Sequence, residues 1–153
     1  MTGSEAVERA GMVTQVNLPE GSWGEGGFHH IWLNDQTRWC WELIYPAETT
    51  MVASVARYKG DNRTEVVELL QTMGRELLLL EASDWPFVIS TGTAQDYAEQ
   101  RLREHYDAFM VLVSFLNIVG HGGRLDSEQL EEFDRIRQRA DIFPEVRPEL
   151  WRD

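Results

Sequence analysis

Four of the chain's six tryptophans fall between Trp23 and Trp41, where glycine is also most concentrated. The segment runs LPEGSWGEGGFHHIWLNDQTRWCWELIYPAE, from Leu18 to Glu48. An indole offers a flat apolar face with an N–H at one edge, which suits a sugar ring whose C–H face is bordered by hydroxyls. Trp23 is flanked by Gly21, Gly24, Gly26 and Gly27, and glycine admits backbone conformations closed to residues with a Cβ. A loop of this kind presents its ring, so carbohydrate is the first ligand class the residues suggest. For Trp23 and Trp32, stacking on a ligand and ordinary packing stand level on the residues alone. Trp39 and Trp41, two apart at the start of a helical pattern, are read as packing residues.

Other chemistries find little footing. The chain has no lysine-bearing phosphate loop, no nucleophile elbow and no paired-cysteine zinc pattern. The glycines of residues 21–27 lack the preceding strand that dinucleotide binding requires. His29 and His30 are loop neighbours that point in opposite directions and suit a shared metal ion poorly, so neither a metal nor a cofactor is expected. His105 lies on an apolar helical stripe and reads as a hydrogen-bonded core histidine. Asp84, between Ser83 and Trp85, can cap a turn or, with those neighbours, hold sugar hydroxyls. The 26 acids invite a search for the carboxylate pair of glycoside chemistry, set about 5 Å apart in retaining enzymes. Most are solvated helix faces. Glu20 and Glu25 are the acids of the tryptophan loop, and no rigid strand end is present to hold them, so no catalytic residue is assigned.

The elements that position these residues are helical. From Asn62, the residues Val66, Leu69, Leu70, Met73, Leu77 and Leu80 recur at three- and four-residue steps, and Asn62 with Glu65 has the spacing of a capping box. From Thr93, read as an N-cap, Ala94, Ala98, Leu102, His105, Phe109, Leu112 and Leu116 form a second stripe that stops at Gly120. Met110, Val111, Val113 and Phe115 widen its apolar surface, which predicts a helix through the centre of the domain. A last helix from Asp126 turns Leu130, Phe133 and Ile136 inward and ends near Ala140. Pro46 interrupts the pattern between Asp35 and Lys59 and predicts a kink or two shorter helices. Ser83 to Thr91 reads as a short link and the tail as loop. The expected fold is all-α: a compact bundle of about four to five helices over residues 35–140, preceded by a segment 1–34 ending in the Trp/Gly-rich loop, with a tail 141–153.

Size and charge set the outer limits. At 153 residues the chain has the length of one ordinary domain. A net charge of −12 and a pI near 4.7 disfavour nucleic acid and anionic membrane surfaces as partners. Cys40 is the only cysteine, and the N-terminal residues lack the basic leader and apolar core of a signal peptide, so a cytoplasmic setting is expected. The apolar stretch Ala108 to Val119 is shorter than the roughly 20 residues that span a bilayer and reads as core.

Several motifs, in order along the chain, carry a resemblance. EGSWGEGG, WLN at Trp32 to Asn34, WELIYPAE ending at Glu48, ELLLLEASDWPF from Glu76, STGTAQDYAEQR from Ser90 and DIFPEV near the end resemble the C-terminal helical domain of glycoside hydrolase family 57 α-1,4-glucan branching enzymes. The likeness spans about Leu18 to Val146. It implies a domain that closes the substrate cleft of a retaining transglycosylase of glycogen or α-glucan metabolism. An upstream (β/α)₇ barrel, in the same or a separate chain, would supply the catalytic carboxylates, leaving the isolated chain inactive. The resemblance places Trp23 and Trp32 in an aromatic gate at the groove and Ser83 and Asp84 among its polar contacts, with Trp85 completing that motif. The implied partners are an α-glucan and the barrel, whose missing face would leave an apolar patch prone to self-association. The other class left open is a stand-alone helical interaction module without a sugar role.

Overall fold

Each apolar stripe needs a facing surface, and in the computed structural model, which describes residues 2–10, 16–139 and 142–151, the stripes converge on one long helix. The described residues form six α-helices and no strand: α1 (Gly3–Ala10), α2 (Arg38–Arg57), α3 (Thr64–Leu80), α4 (Asp84–Thr91), α5 (Gln95–Gly120) and α6 (Ser127–Arg139). Short 3₁₀ turns lie at Glu25–Gly27 and Pro148–Trp151. The all-α expectation holds, with α2 to α6 as the bundle. The first helix, α1, has no counterpart among the sequence expectations and buries no residue.

Helix α5 has 26 residues, so at about 1.5 Å per residue it is long enough to meet every other bundle helix. Its stripe Ala98, Leu102, His105, Phe109, Leu112, Leu116 is buried, facing Val66, Leu69, Met73, Leu77 and Leu80 of α3. Fully burying such a side chain contributes about 1.5–3 kcal/mol before cavity terms, so this pair of stripes dominates the core. Met110, expected in the centre, is instead 41% exposed. Among the described residues no helix is long and apolar enough to cross a membrane.

Four local expectations are corrected. Helix α2 runs unbroken for 20 residues through Pro46. Pro46 and Glu42, whose carbonyl loses its amide partner, are both exposed, so water satisfies what the ring forbids. Asn62 does not cap α3. The residue before that helix is Arg63, in extended conformation and without a side-chain cap, and Asp61 holds the turn by accepting Arg63 N–H at 3.0 Å. Ala94, not Thr93, occupies the N-cap position of α5, again without a side-chain bond. Ser83 to Thr91, read as a link, is mostly helix α4. Pro86 is tolerated in its first turn, where a backbone N–H has no intrahelical acceptor.

At the far end the last helix starts one residue after Asp126, which caps it. Gln129 N–H donates to Asp126 Oδ1 at 2.9 Å, and Asp126 N–H to Gln129 Oε1 at 3.0 Å, a reciprocal cap. Phe133 and Ile136 of α6 are buried, but Leu130 is 50% exposed. The expected end at Ala140 lies outside the described residues. The tail is more than loop: its 3₁₀ turn packs Trp151 over α3, and a Cβ placed on Gly74 would meet Val146 Cγ1 at 2.9 Å and Trp151 at 3.0 Å.

Candidate functional site

The tryptophan loop is closed by its own backbone. Ser22 N–H donates to Gly27 O at 2.8 Å, Ser22 Oγ donates to Phe28 O, and Gly24 N–H donates back to Ser22 Oγ at 3.1 Å. Gly26 and Gly27 have φ of 66° and 79°, the left-handed region where a Cβ is costly. Gly24 is needed for a different reason, since a Cβ there would collide with Phe28 O and approach Trp32 Cζ3 at 3.2 Å. The clasp leaves Trp23 at its tip, 92% exposed.

Trp32 is held on the other side of the loop. Its carbonyl accepts Thr37 Oγ1 at 2.9 Å and Trp41 Nε1 at 3.0 Å. The half-buried Trp32 ring lies 6.4 Å from Phe87 of α4, tilted by 38°. Asn34 Nδ2 donates to Ser90 Oγ at 2.8 Å, a second tie between the loop and α4. Trp39 and Trp41 are partly buried against the core, as read from the sequence, and the Arg103 guanidinium stacks 4.3 Å above Trp39.

The Ser83–Asp84–Trp85 motif divides between two faces of α4. Ser83 and Asp84 are exposed, and among the described residues their side chains have no hydrogen-bond partner. Trp85 points the other way. Its Nε1–H donates to Leu79 O at 2.7 Å, and its ring stacks at 6.1 Å on His105. Ser83, Phe87 and Ser90, spaced four and three apart, share the face that meets the loop. The structure therefore joins Trp32 to this face through Phe87, while Trp85 fixes α4 from below.

Beneath Trp85 lies a buried polar group. His105 is a core histidine, as expected, and its Nδ1 donates to Glu76 Oε2 at 2.7 Å while Nε2 accepts from Arg101 at 3.1 Å. That tautomer follows from the partners, since a guanidinium can only donate. Arg139 Nη2 donates to the same Glu76 Oε2 at 2.8 Å, balancing a carboxylate that is 0% exposed. Sequence reasoning missed Glu76; its only signal is a charged residue on the apolar stripe of α3.

At the foot of α4, burial together with the nearby Glu48 carboxylate pushes Glu81 from an ordinary 4.5 up to about 7. Its folded-state pKa lies above the unfolded one. The stabilising contribution is therefore complete below about pH 4.5 and is lost as pH rises through about 7. Glu81→Gln should flatten the fall in melting temperature between pH 5 and 8 relative to the unsubstituted chain. Parallel curves would show that Glu81 does not titrate there. Burial also pushes the Cys40 thiol up to about 11, so it supplies no thiolate at neutral pH. Among the described residues no cluster of three or more potential metal ligands occurs.

A family model described as 1,4-alpha-glucan branching enzyme, C-terminal, matches residues 43–151. The chain is 42% identical over 128 residues to a 1,4-alpha-glucan branching enzyme of Thermococcus kodakarensis, covering 83% of this chain and 19% of that protein. It is 31% identical over 112 residues to a probable 1,4-alpha-glucan branching enzyme of Mycobacterium tuberculosis, covering 70% of this chain and 21% of the relative. The crystal structure of the GH57-type branching enzyme from Pyrococcus horikoshii matches with a TM-score of 0.88 and 35% identity, over 99% of this chain and 28% of that one. A GH57 branching enzyme from Thermococcus kodakaraensis, in complex with glucose and additives, matches with a TM-score of 0.78 and 38% identity, over 90% and 25%. The chain thus spans between 19% and 28% of these relatives' length.

Proposed function

The chain belongs to the family of 1,4-alpha-glucan branching enzyme C-terminal domains, and on that premise we propose that it closes one wall of a glucan cleft. The remainder of the cleft, with the catalytic carboxylates, belongs to a (β/α)₇ barrel. Residues 1–153 act as one helical domain that binds and orients an α-glucan without cleaving it. Trp23 and Trp32 offer stacking faces, Ser83 and Asp84 meet sugar hydroxyls, and Trp85 holds those two in place.

The observation that carries this reading is Trp23, an indole 92% exposed on a loop clasped by Ser22. A large apolar ring left in water stabilises nothing in the fold, and the clasp has already removed backbone freedom that binding would otherwise cost. Leu33 of the loop and Tyr45 of α2 are exposed as well, apolar surface that suits contact with the barrel or, without it, a second copy. That the Thermococcus kodakaraensis branching enzyme was crystallised in complex with glucose is consistent with a sugar ligand in a relative.

The test compares Trp23→Ala, Trp32→Ala and Trp39→Ala in a branching enzyme that carries this domain. An open gate admits water to the glycosyl-enzyme intermediate, so the ratio of transfer to hydrolysis should fall about tenfold for the first two, roughly 1.4 kcal/mol of relative barrier. Trp23→Ala should change stability by less than about 0.5 kcal/mol, as expected of an exposed side chain. Trp39→Ala should lower the melting temperature and leave the ratio alone. An unchanged ratio for both gate variants would reject the gate and favour a helical interaction module.

A further inference from the structure

Where the loop meets α4 it leaves a hollow of about 570 Å³ whose lining includes Glu25, Phe28, His30, Ile31, Asn34 and Ser90. The exposed Phe28 ring lies 5.6 Å from the His30 imidazole, tilted by 32°. Among the described residues the side chains of Glu25 and His30 have no hydrogen-bond partner, and Ser90 Oγ accepts from Asn34 but keeps its own proton to give. Asn34 is spent: Nδ2 donates to His30 O and Ser90 Oγ, and Oδ1 accepts Gln36 N–H at 2.8 Å. It shapes the wall while the other three remain available.

These groups select a ligand class. An aromatic face bordered by a carboxylate, an imidazole and a hydroxyl suits a neutral polyol, which both donates and accepts hydrogen bonds. With Glu25 present and no lysine or arginine in the lining, a phosphate or carboxylate ligand is disfavoured. The position along α4 supplies the connection. Ser83, Phe87 and Ser90 lie on one face, and Ser83 to Ser90 spans about 10 Å at 1.5 Å per residue. Trp32 covers the midpoint through Phe87.

We propose that this hollow is a further glucan subsite, so that a chain held at the gate and at Ser83–Asp84 continues over Phe87 to rest against Phe28 and His30. The proposal builds on the gate reading above and extends it to a binding length. A longer oligosaccharide reaches the hollow and a short one does not. Phe28 and His30 are both exposed, so replacing them leaves the core untouched.

The experiment titrates the isotopically labelled 153-residue chain with maltotriose and maltoheptaose and follows the backbone amide, indole and imidazole signals by NMR. Maltoheptaose should bind about tenfold more tightly than maltotriose, shifting His30 and Ser90 as well as the tryptophans. In Phe28→Ala/His30→Ala that ratio should collapse towards one with maltotriose affinity unchanged, and Phe28→Tyr, which keeps the ring, should preserve it. A ratio that survives in the double variant overturns the subsite. So do tryptophan shifts with none at His30 or Ser90, an outcome that leaves the gate standing. Silence at Trp23 and Trp32 with both sugars rejects the gate and the subsite together.

Discussion

Replacing Glu76 by alanine is expected to destabilise the fold by about 1–3 kcal/mol, the cost of leaving a buried donor without its acceptor. Glu76 is 0% exposed and accepts from both His105 and Arg139 through Oε2. Without it, the His105 N–H is left unpaired in the core. Arg139 suffers less, because its side chain is 30% exposed and can turn to water. In a domain of this size each kcal/mol moves Tm by roughly 2–4 °C, so the melt should shift by about 5 °C. The consequence reaches α4, since the Trp85 ring rests on His105. Thermal melts with near-ultraviolet dichroism measure both effects. A loss below about 1 kcal/mol would show that the group adds little net stability.

Gly120→Ala should cost about 1–3 kcal/mol, the usual range for overpacking. A Cβ at Gly120 would overlap Tyr58 Oη and stand only 2.5 Å from Tyr58 Cζ and 2.8 Å from Cε1. Tyr58 is buried, with its hydroxyl near Leu116 O at 3.4 Å, so its ring has little room to move. Alanine's better helix propensity, about 1 kcal/mol at mid-helix, works against this loss but counts for less at the last residue of α5. The steric term therefore wins. In a Tyr58→Ala background the same change should become neutral or mildly stabilising, and the double-mutant cycle reads the coupling directly. Equal costs in both backgrounds would locate the strain elsewhere.

What the sequence determined by itself was the repeating part of the fold. The stripes from Val66 to Leu80 and from Ala98 to Leu116 are buried as their spacing requires, because a helix long enough to repeat its period shows its inward face. The glycines and tryptophans of residues 21–32 likewise marked the loop, through backbone freedom and ring chemistry that belong to the residues themselves. Ends and short elements were decided by the tertiary structure. Asn62 and Thr93 had the side chains of caps, yet α3 and α5 begin one residue later than those caps require and without side-chain caps. Helix α4, at eight residues with Pro86, Val88 and Ile89, is too short to display a period and could not stand alone. Packing of Pro86, Ile89 and Trp85 against its neighbours stabilises it. The approach of the loop to α4 had no sequence signal at all: Asn34 and Ser90 are 56 residues apart, and no local propensity encodes such a distance. Sequence put the aromatic rings in the chain, and only the packing of α4 against α5 gave Trp32 and Ser83 a common face of α4 to work from.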